Sequence, residues 1–447
     1  MEKGKRKNRI LLTIYFVLIL IFFIYNFDDV FNGFWLSAQL IWEMFMDWNS
    51  FETELDIPTL DFLFASVVLM IFGLVSLISL LHNWLRRFQF LVFRKFFSWL
   101  DKLSFQVLSG SVLVITLIFA AIESPIISTQ HPNYYKDIIV TKLLPPLSEA
   151  KYVIIEDQNS SSNELTSIQK LKHKALHLSH DNTKLFINSF RIIDDNFIYQ
   201  QGKREYIEPL SHFEKINGEM KIETKLFYLG TDDFGRDVFS RLIYSSRMSL
   251  MIGLLSVLVS LLLGGFIGYS AGFFGGILDT ILMRIVDFFF SVPILFLIVF
   301  LIALFGNSLL LLVLALGLGG WMSIARLARA ETISCKKKEF IESLKIMGQT
   351  NFKILTKHIL PNTISPIIVA LVLQFGNVIM AESALSFLGL GVQPPTPTWG
   401  TIIKSGYDFI SSAWWLTTFG GLAIVFAVLS FNLLGEGINK HFDPRKS

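Results

Sequence analysis

The chain has 447 residues; 52% are hydrophobic, 14% are aromatic and only 17% are charged, against roughly 25% charged in an ordinary soluble domain. This excludes a soluble enzyme, a disordered chain and a coiled coil, and it indicates a polytopic membrane protein, because the apolar residues fall in blocks near the roughly 20 that cross a bilayer as helix. The net charge of +3 is too small to point to nucleic acid, and the one cysteine, Cys335, cannot form an intramolecular disulfide.

Eight spans are expected, at 10–27, 60–81, 103–122, 249–274, 281–305, 309–324, 363–385 and 414–434. The first follows Lys3, Lys5, Arg6, Lys7 and Arg9, yet no small-residue cleavage site follows Tyr25-Asn26-Phe27-Asp28, so it reads as a retained helix. Gly264 with Gly268 predicts a small-residue contact face in the fourth span. Pro293 predicts a kink in the fifth.

Lys and Arg in short loops set the orientation. The basic N-terminus starts inside. Residues 28–59 carry Asp28, Asp29, Glu43, Asp47, Glu52, Glu54 and Asp56 with no Lys or Arg, and belong outside. Arg86, Arg87, Arg94, Lys95 and Lys102 return the chain to the cytoplasm. So do Arg326, Arg329, Lys336, Lys337, Lys338, Lys345, Lys353 and Lys357 between spans six and seven, and both termini are expected inside. The aromatic-rich stretch 35–48 suits the outer membrane interface.

The polar stretch that follows span three is expected outside as a small α/β or β-containing insert. It is loop-like at 157–163, with strand-like runs at 185–187, 197–199 and 220–229. The domain reading is an N-terminal extension with two helices (1–102), a first core helix (103–122), the insert (123–228) and the main core (229–447). The expected fold is therefore an all-α polytopic membrane protein of about eight helices, six of them core and two N-terminal, carrying that insert.

The loop at 330–361 is the most informative. Glu342-Ser343-Leu344-Lys345-Ile346-Met347-Gly348 reads as a short helix stopped near a glycine, where left-handed backbone costs little. After nine intervening residues comes His358-Ile359-Leu360-Pro361, with the proline suited to the first turn of span seven. Glu342, Gly348, Leu360 and Pro361 at this spacing resemble the cytoplasmic signature of the integral-membrane subunits of binding-protein-dependent ABC importers. That resemblance implies a helix that docks on an ATPase subunit and transmits its motion. Ser343 and Leu344 stand where the family usually has two alanines.

Three more segments look like signatures of the oligopeptide/dipeptide group and its C-type permease. One runs Leu229-Gly230-Thr231-Asp232-Asp233-Phe234-Gly235-Arg236-Asp237, continuing to Arg247-Met248-Ser249-Leu250. It is a polar turn whose Asp237 can cap the helix leading into span four; Ser245 replaces a glycine usual in the family. The second, from Glu382 to Gly400, carries Gly389, Gly391, Pro394, Pro395 and Pro397, which predict a rigid non-helical outer piece capping the pathway. The third is Asn432-Leu433-Leu434-Gly435-Glu436-Gly437 with Asp443-Pro444. The resemblance covers 103–122 and 227–447; residues 1–102 and most of the insert lie beyond it.

Charges inside spans are costly and usually face a cavity or bundle interior. Arg284 and Asp287, three residues apart, are expected to neutralise one another. Asp287, Gln374, Asn377 and Glu382 are the candidate pathway-lining residues. His173, His177 and His180 share a face if helical, but without a carboxylate pattern they read as surface histidines, and no metal site is expected. The sequence holds no Gly-x-x-x-x-Gly-Lys-Ser/Thr phosphate loop, so no catalytic or cofactor-binding residues are assigned.

The resemblance implies a non-enzymatic permease subunit of an ATP-driven peptide importer in a prokaryotic inner membrane. Its implied partners are a homologous permease, two ATPase subunits that bind ATP and magnesium, an extracytoplasmic substrate-binding protein, peptide substrate and membrane lipid. Uptake of nickel, opines, antimicrobial peptides or another small solute is the alternative within the group. An ion-coupled secondary transporter needs an intramembrane acid relay, and a membrane-embedded enzyme needs a constellation such as Ser/His at one depth, which the sequence does not offer.

Overall fold

The computed structural model describes residues 2–28, 30–35, 57–84, 103–155, 184–193, 195–213, 215–216, 219–220 and 222–442. Its apolar runs fold as helices, the form that satisfies each backbone polar group within one segment. In chain order the main helices are α1 (Glu2–Tyr25), α2 (Ile57–Trp84), α3 (Phe105–Ile122), α4 (Val238–Phe274), α5 (Gly276–Phe290) and α6 (Ile294–Phe305). There follow α7 (Leu309–Lys336), α8 (Glu339–Ile346), α9 (Leu360–Phe387), α10 (Trp399–Tyr407) and α11 (Trp414–Phe442). Among the described residues, five helices are long and apolar enough to cross a membrane, or six if α5 and α6 form one span. The apolar stretches of α1 and α2 are shorter, Ile10–Tyr25 and Asp61–Leu77.

The fifth span expected from the sequence is two helices that meet at 84°, broken at Ser291-Val292-Pro293. Proline supplies no N–H to continue the ladder. The expected kink is thus a sharp corner. The sixth expected span runs on to Lys336, which puts Arg326 and Arg329 on helix rather than in a loop.

The core is held by close backbone approach. A Cβ at Gly264 would lie 2.4 Å from the carbonyl oxygen of Trp321, and one at Gly268 would lie 2.3 Å from that of Ala325. Only glycine lets α4 and α7 meet this closely, as its sequence spacing predicts. Ser256 and Ser260 donate across the same seam to the carbonyls of Val313 and Gly317, at 3.2 and 2.6 Å. On the other side α3 meets α11, where a Cβ at Gly110 would lie 2.4 Å from the Leu434 nitrogen. Phe375 of α9 stacks on Phe431 of α11 with ring centroids 4.0 Å apart, inside a buried cluster with Ile252, Leu312 and Ile379.

The N-terminal pair lies against α3. Phe22 of α1 and Phe72 of α2 both set edges against Phe119, at 5.7 and 5.5 Å. Asn8 donates to the Leu103 carbonyl at 3.0 Å, and Asp61 of α2 pairs with Arg247 of α4. Residues 36–56 of the acidic loop, the basic connector at 85–102 and the Asp443-Pro444 end lie outside the described residues.

Between α3 and α4 the expected strands are present. One sheet has the order β2 (Lys184–Ile187), β1 (Ser148–Ile154), β8 (Ile222–Phe227); a second runs β3 (Ser189–Ile193), β4 (Asn196–Gln201), β5 (Arg204–Pro209). All pairs are antiparallel, with Tyr152 opposite both Phe186 and Glu223. A two-stranded ladder joins β6 (Lys215–Ile216) to β7 (Glu219–Met220). Val153, Ile187, Phe197, Tyr199 and Phe213 form one buried cluster spanning both sheets. Asp137 ties them: its carboxylate accepts from the Phe186 N–H at 2.7 Å and from Gln201 at 2.9 Å. The 157–163 loop and His173, His177 and His180 lie outside the described residues.

Candidate coupling loop and translocation cavity

Helix α8 begins after Lys338 with Glu339 and Glu342 in its first turn and Lys345 in its last, charges that match the helix dipole. It ends as the sequence predicts. Gly348 takes φ +75°, the Gln349 N–H donates to the Leu344 carbonyl at 3.1 Å, and the Gly348 N–H donates to that of Lys345 at 3.0 Å. These two bonds form the glycine-terminated C-cap. Ile341 is the buried face of α8, packed in one cluster with Cys335, Ile354, Ile359 and Ile367. Glu342, Ser343 and Gly348 are exposed and Leu344 is half-buried. Ile346, Met347 and Phe352 are 84%, 68% and 77% exposed, so the loop presents apolar side chains that its own chain does not cover.

Pro361 lies in the first turn of α9, as expected from the sequence, but that turn is not a free helix start. The helix that starts at Asn351 passes through a π-turn at Leu355–Ile359 and continues to Phe387. The Leu360 N–H reaches back to the Leu355 carbonyl, a wider ring than an α-turn. This register accommodates a proline, which has no N–H to give. The loop around α8 is therefore continuous with α9.

The turn before α4 joins the insert to the core. Asp232, 1% exposed, accepts from the Phe234 and Arg236 N–H groups, both at 2.9 Å, and from the Arg236 guanidinium at 2.7 Å. Asp237 caps α4 as predicted, accepting from the Ser240 N–H at 3.1 Å, and also takes the Thr129 hydroxyl at 2.6 Å. Burial and the Asp232 carboxylate push Asp233 above the usual carboxylate range. Gly230 and Gly235 both have positive φ; a Cβ at Gly230 would sit 2.5 Å from the Leu144 carbonyl. Trp415 donates to the Thr231 carbonyl at 3.1 Å.

A cavity of about 530 Å³ opens between α6, α7 and α9. Of the candidate pathway residues, Gln374 and Asn377 line it. Glu382 does not: it is fully buried, bonded to Ser386 at 2.7 Å and to the Ser383 and Ser249 hydroxyls at 3.4 and 3.5 Å. Asp287 pairs with Arg326 at 2.7 Å rather than with Arg284, because α7 extends past the expected span end and brings a second cation to it. Asp279 and Arg329 make a two-pronged pair at 2.5 and 2.6 Å in the same way.

The segment after α9 is non-helical through Pro397, as expected, and then forms α10, opened by a capping box between Thr398 and Thr401. Asn307 donates to the Gly391 carbonyl at 3.0 Å and Trp399, 2% exposed, to that of Leu242 at 3.3 Å. Sequence reasoning missed Ser260, which bonds Gln374 at 2.7 Å. Its signal was present: Ser249, Ser256 and Ser260 recur on one helical face of α4, all fully buried.

The sequence model described as the binding-protein-dependent transport system inner membrane component matches residues 264–447. A dipeptide transport system permease protein of Alkalihalophilus pseudofirmus is 39% identical over 218 residues, which are 49% of this chain and 72% of that protein. The dipeptide permease of Escherichia coli K12 is 44% identical over 217 residues, 48% of this chain and 72% of that one. The oligopeptide permease of the same organism is 40% identical over 218 residues, 49% and 72%. A solved structure of the MetNI methionine ABC transporter overlays with a TM-score of 0.39 at 20% identity, covering 45% of this chain and 95% of its own. By identity and coverage, the chain belongs to the binding-protein-dependent transport system inner membrane components.

Proposed function

We propose that the chain is the permease subunit of an ATP-driven importer of dipeptides or oligopeptides, forming half of the translocation path. The observation that carries this is α8: a short helix fixed by its buried Ile341 and its Gly348 cap, with Ile346, Met347 and Phe352 uncovered beside it. An apolar patch of this kind marks a protein interface. Glu342, Ser343, Leu344, Gly348, Leu360 and Pro361 form the loop that docks on an ATPase subunit, and the continuous helix into α9 carries its motion to the cavity. The peptide substrate is supported by relatives named as dipeptide and oligopeptide permeases.

In this reading ATP and magnesium bind in two partner ATPase chains. A second, homologous permease completes the path, and an extracytoplasmic binding protein delivers peptide. The bent α5–α6 pair counts as one span, and α1 and α2 complete eight in a lipid bilayer, with both termini inside. The β-insert (123–228) lies outside between core helices at 103–122 and 229–447, where it contacts the binding protein or the substrate. The signature turn at Gly230, Asp232, Gly235, Arg236 and Asp237 holds it there. The 1–102 extension packs beside that core.

Affinity purification from the native membrane, followed by ATP hydrolysis measured with a peptide-loaded binding protein, tests the proposal. ATPase chains in the purified assembly and hydrolysis stimulated by the loaded binding protein are expected. A chain that purifies alone overturns it. Full uptake after deletion of residues 151–221 rejects the role given to the insert.

A further inference from the structure

The cavity between α6, α7 and α9 has a chemistry of its own. Its side chains are apolar except for Ser323, Gln374 and Asn377, and no Asp, Glu, His, Cys, Lys or Arg is among its lining residues. Its volume of about 530 Å³ falls within the roughly 300–1,000 Å³ of small-molecule sites. A metal cation finds no ligand set here; a solute that offers amide groups does.

The orientation of Gln374 follows from a chain of hydrogen bonds. The Gly317 carbonyl can only accept, so the Ser260 hydroxyl gives it its proton at 2.6 Å. Ser260 Oγ then faces Gln374 as an acceptor, and Gln374 must present its NH2, at 2.7 Å. Gly320 makes room, since a Cβ there would lie 1.7 Å from Gln374 Nε2. The amide nitrogen is thus committed to the wall. Gln374 Oε1 carries no hydrogen bond among the described residues and is not enclosed, which leaves it to the cavity. Asn377, one turn along the same face, is exposed and has no hydrogen bond among the described residues.

We propose that this cavity binds the peptide main chain, with Gln374 Oε1 accepting a backbone N–H, Asn377 meeting the adjacent carbonyl, and Ser260 acting as the positioning residue that fixes the Gln374 amide. The inference rests on the permease reading. It explains how one site serves many peptides: main-chain amides are common to all of them, and the apolar walls place no charge requirement on side chains.

The test compares uptake of dialanine with that of alanyl-lactate, in which an ester oxygen replaces the single amide N–H with little change of shape. The assembly is purified with its partner chains and reconstituted in proteoliposomes. Any preference of the binding protein is common to all variants and cancels. The ratio of dialanine to alanyl-lactate uptake is expected to fall about tenfold from wild type to Gln374→Met, the scale of one hydrogen bond to a group otherwise left unpaired. Ser260→Ala, which frees the amide without removing it, is expected to lower the same ratio by about threefold; a purely packing role for the serine would lower both uptakes alike. An unchanged ratio in either variant overturns the site. Wild-type uptake of neither compound overturns the permease reading instead, a separate result.

Discussion

The transport core and the segments added to it are built by different contacts. In the core, α4 and α7 touch through Gly264 and Gly268, with backbone oxygens 2.4 and 2.3 Å from where a Cβ would stand. The N-terminal pair instead leans on α3 through Phe22 and Phe72 against Phe119 and through Asp61 on the partly exposed Arg247. The insert has its own cluster around Phe197 and Phe213 and joins the core through the Asp232–Asp237 turn. A seam without side-chain volume has no slack, whereas aromatic edges and surface ion pairs tolerate adjustment. Substitutions in the core should therefore fail outright, and equivalent ones in the added parts should act locally.

The largest effect is expected for Gly268→Leu. Four heavy atoms forced against the Ala325 carbonyl must separate α4 from α7, at a cost of about 3 kcal/mol, the upper end for overpacking, and the chain should not accumulate in membranes by immunoblot. Accumulation at the wild-type level would erase the contrast. Next comes Gly348→Pro, since proline fixes φ near −65° while the native value is +75°. The protein should remain in the membrane while transport falls more than about tenfold relative to ATP hydrolysis; Glu342→Lys should uncouple in the same way. Coupled transport in both variants would remove the docking role from α8.

A smaller and local effect is expected for Asp137→Ala. It strands the Phe186 N–H and one Gln201 donor, costing about 1–3 kcal/mol. Limited proteolysis should cut within the insert while the helices stay protected. Asp61→Asn should be smallest: its ion pair is partly exposed, and Arg247 keeps its bonds to the Ala121 and Ile122 carbonyls at 2.5 and 2.9 Å. The expected loss is under about 1 kcal/mol, a shift of a few degrees in melting temperature. A drop as large as that of Gly268→Leu would make the N-terminal pair part of the core.

Local chemistry was legible in the sequence; partnership across the fold was not. The Gly348 stop, the Asp237 cap, the Pro293 break and the Gly264/Gly268 seam each depend on one residue and its near neighbours, and each is present. Asp287 pairs with Arg326 because two antiparallel helices meet, which spacing along one helix cannot reveal. Glu382 looked like a pathway residue because a carboxylate in an apolar span is rare. Ser383 and Ser386 of its own helix reach it, joined by hydroxyls from Ser249 of α4 and Thr398 at the cap of α10, and only the first two could be read from local spacing. Gln374 and Asn377 do line the cavity, since both project from one face of α9.

The helix from Asn351 to Phe387 has 37 residues, so at 1.5 Å of rise per residue it is a rod of about 55 Å. Its foot belongs to the α8 loop and its head carries Glu382, against which α10 is seated through Thr398 and Gly400. Geometry then multiplies. A tilt of about 5° at the foot would sweep the head, with the α10 corner seated on it, through roughly 5 Å, while Gln374, about two-thirds of the way along, would travel about two-thirds as far. One bar would thus act as an oar, turning a small stroke at its foot into a wider one at its head.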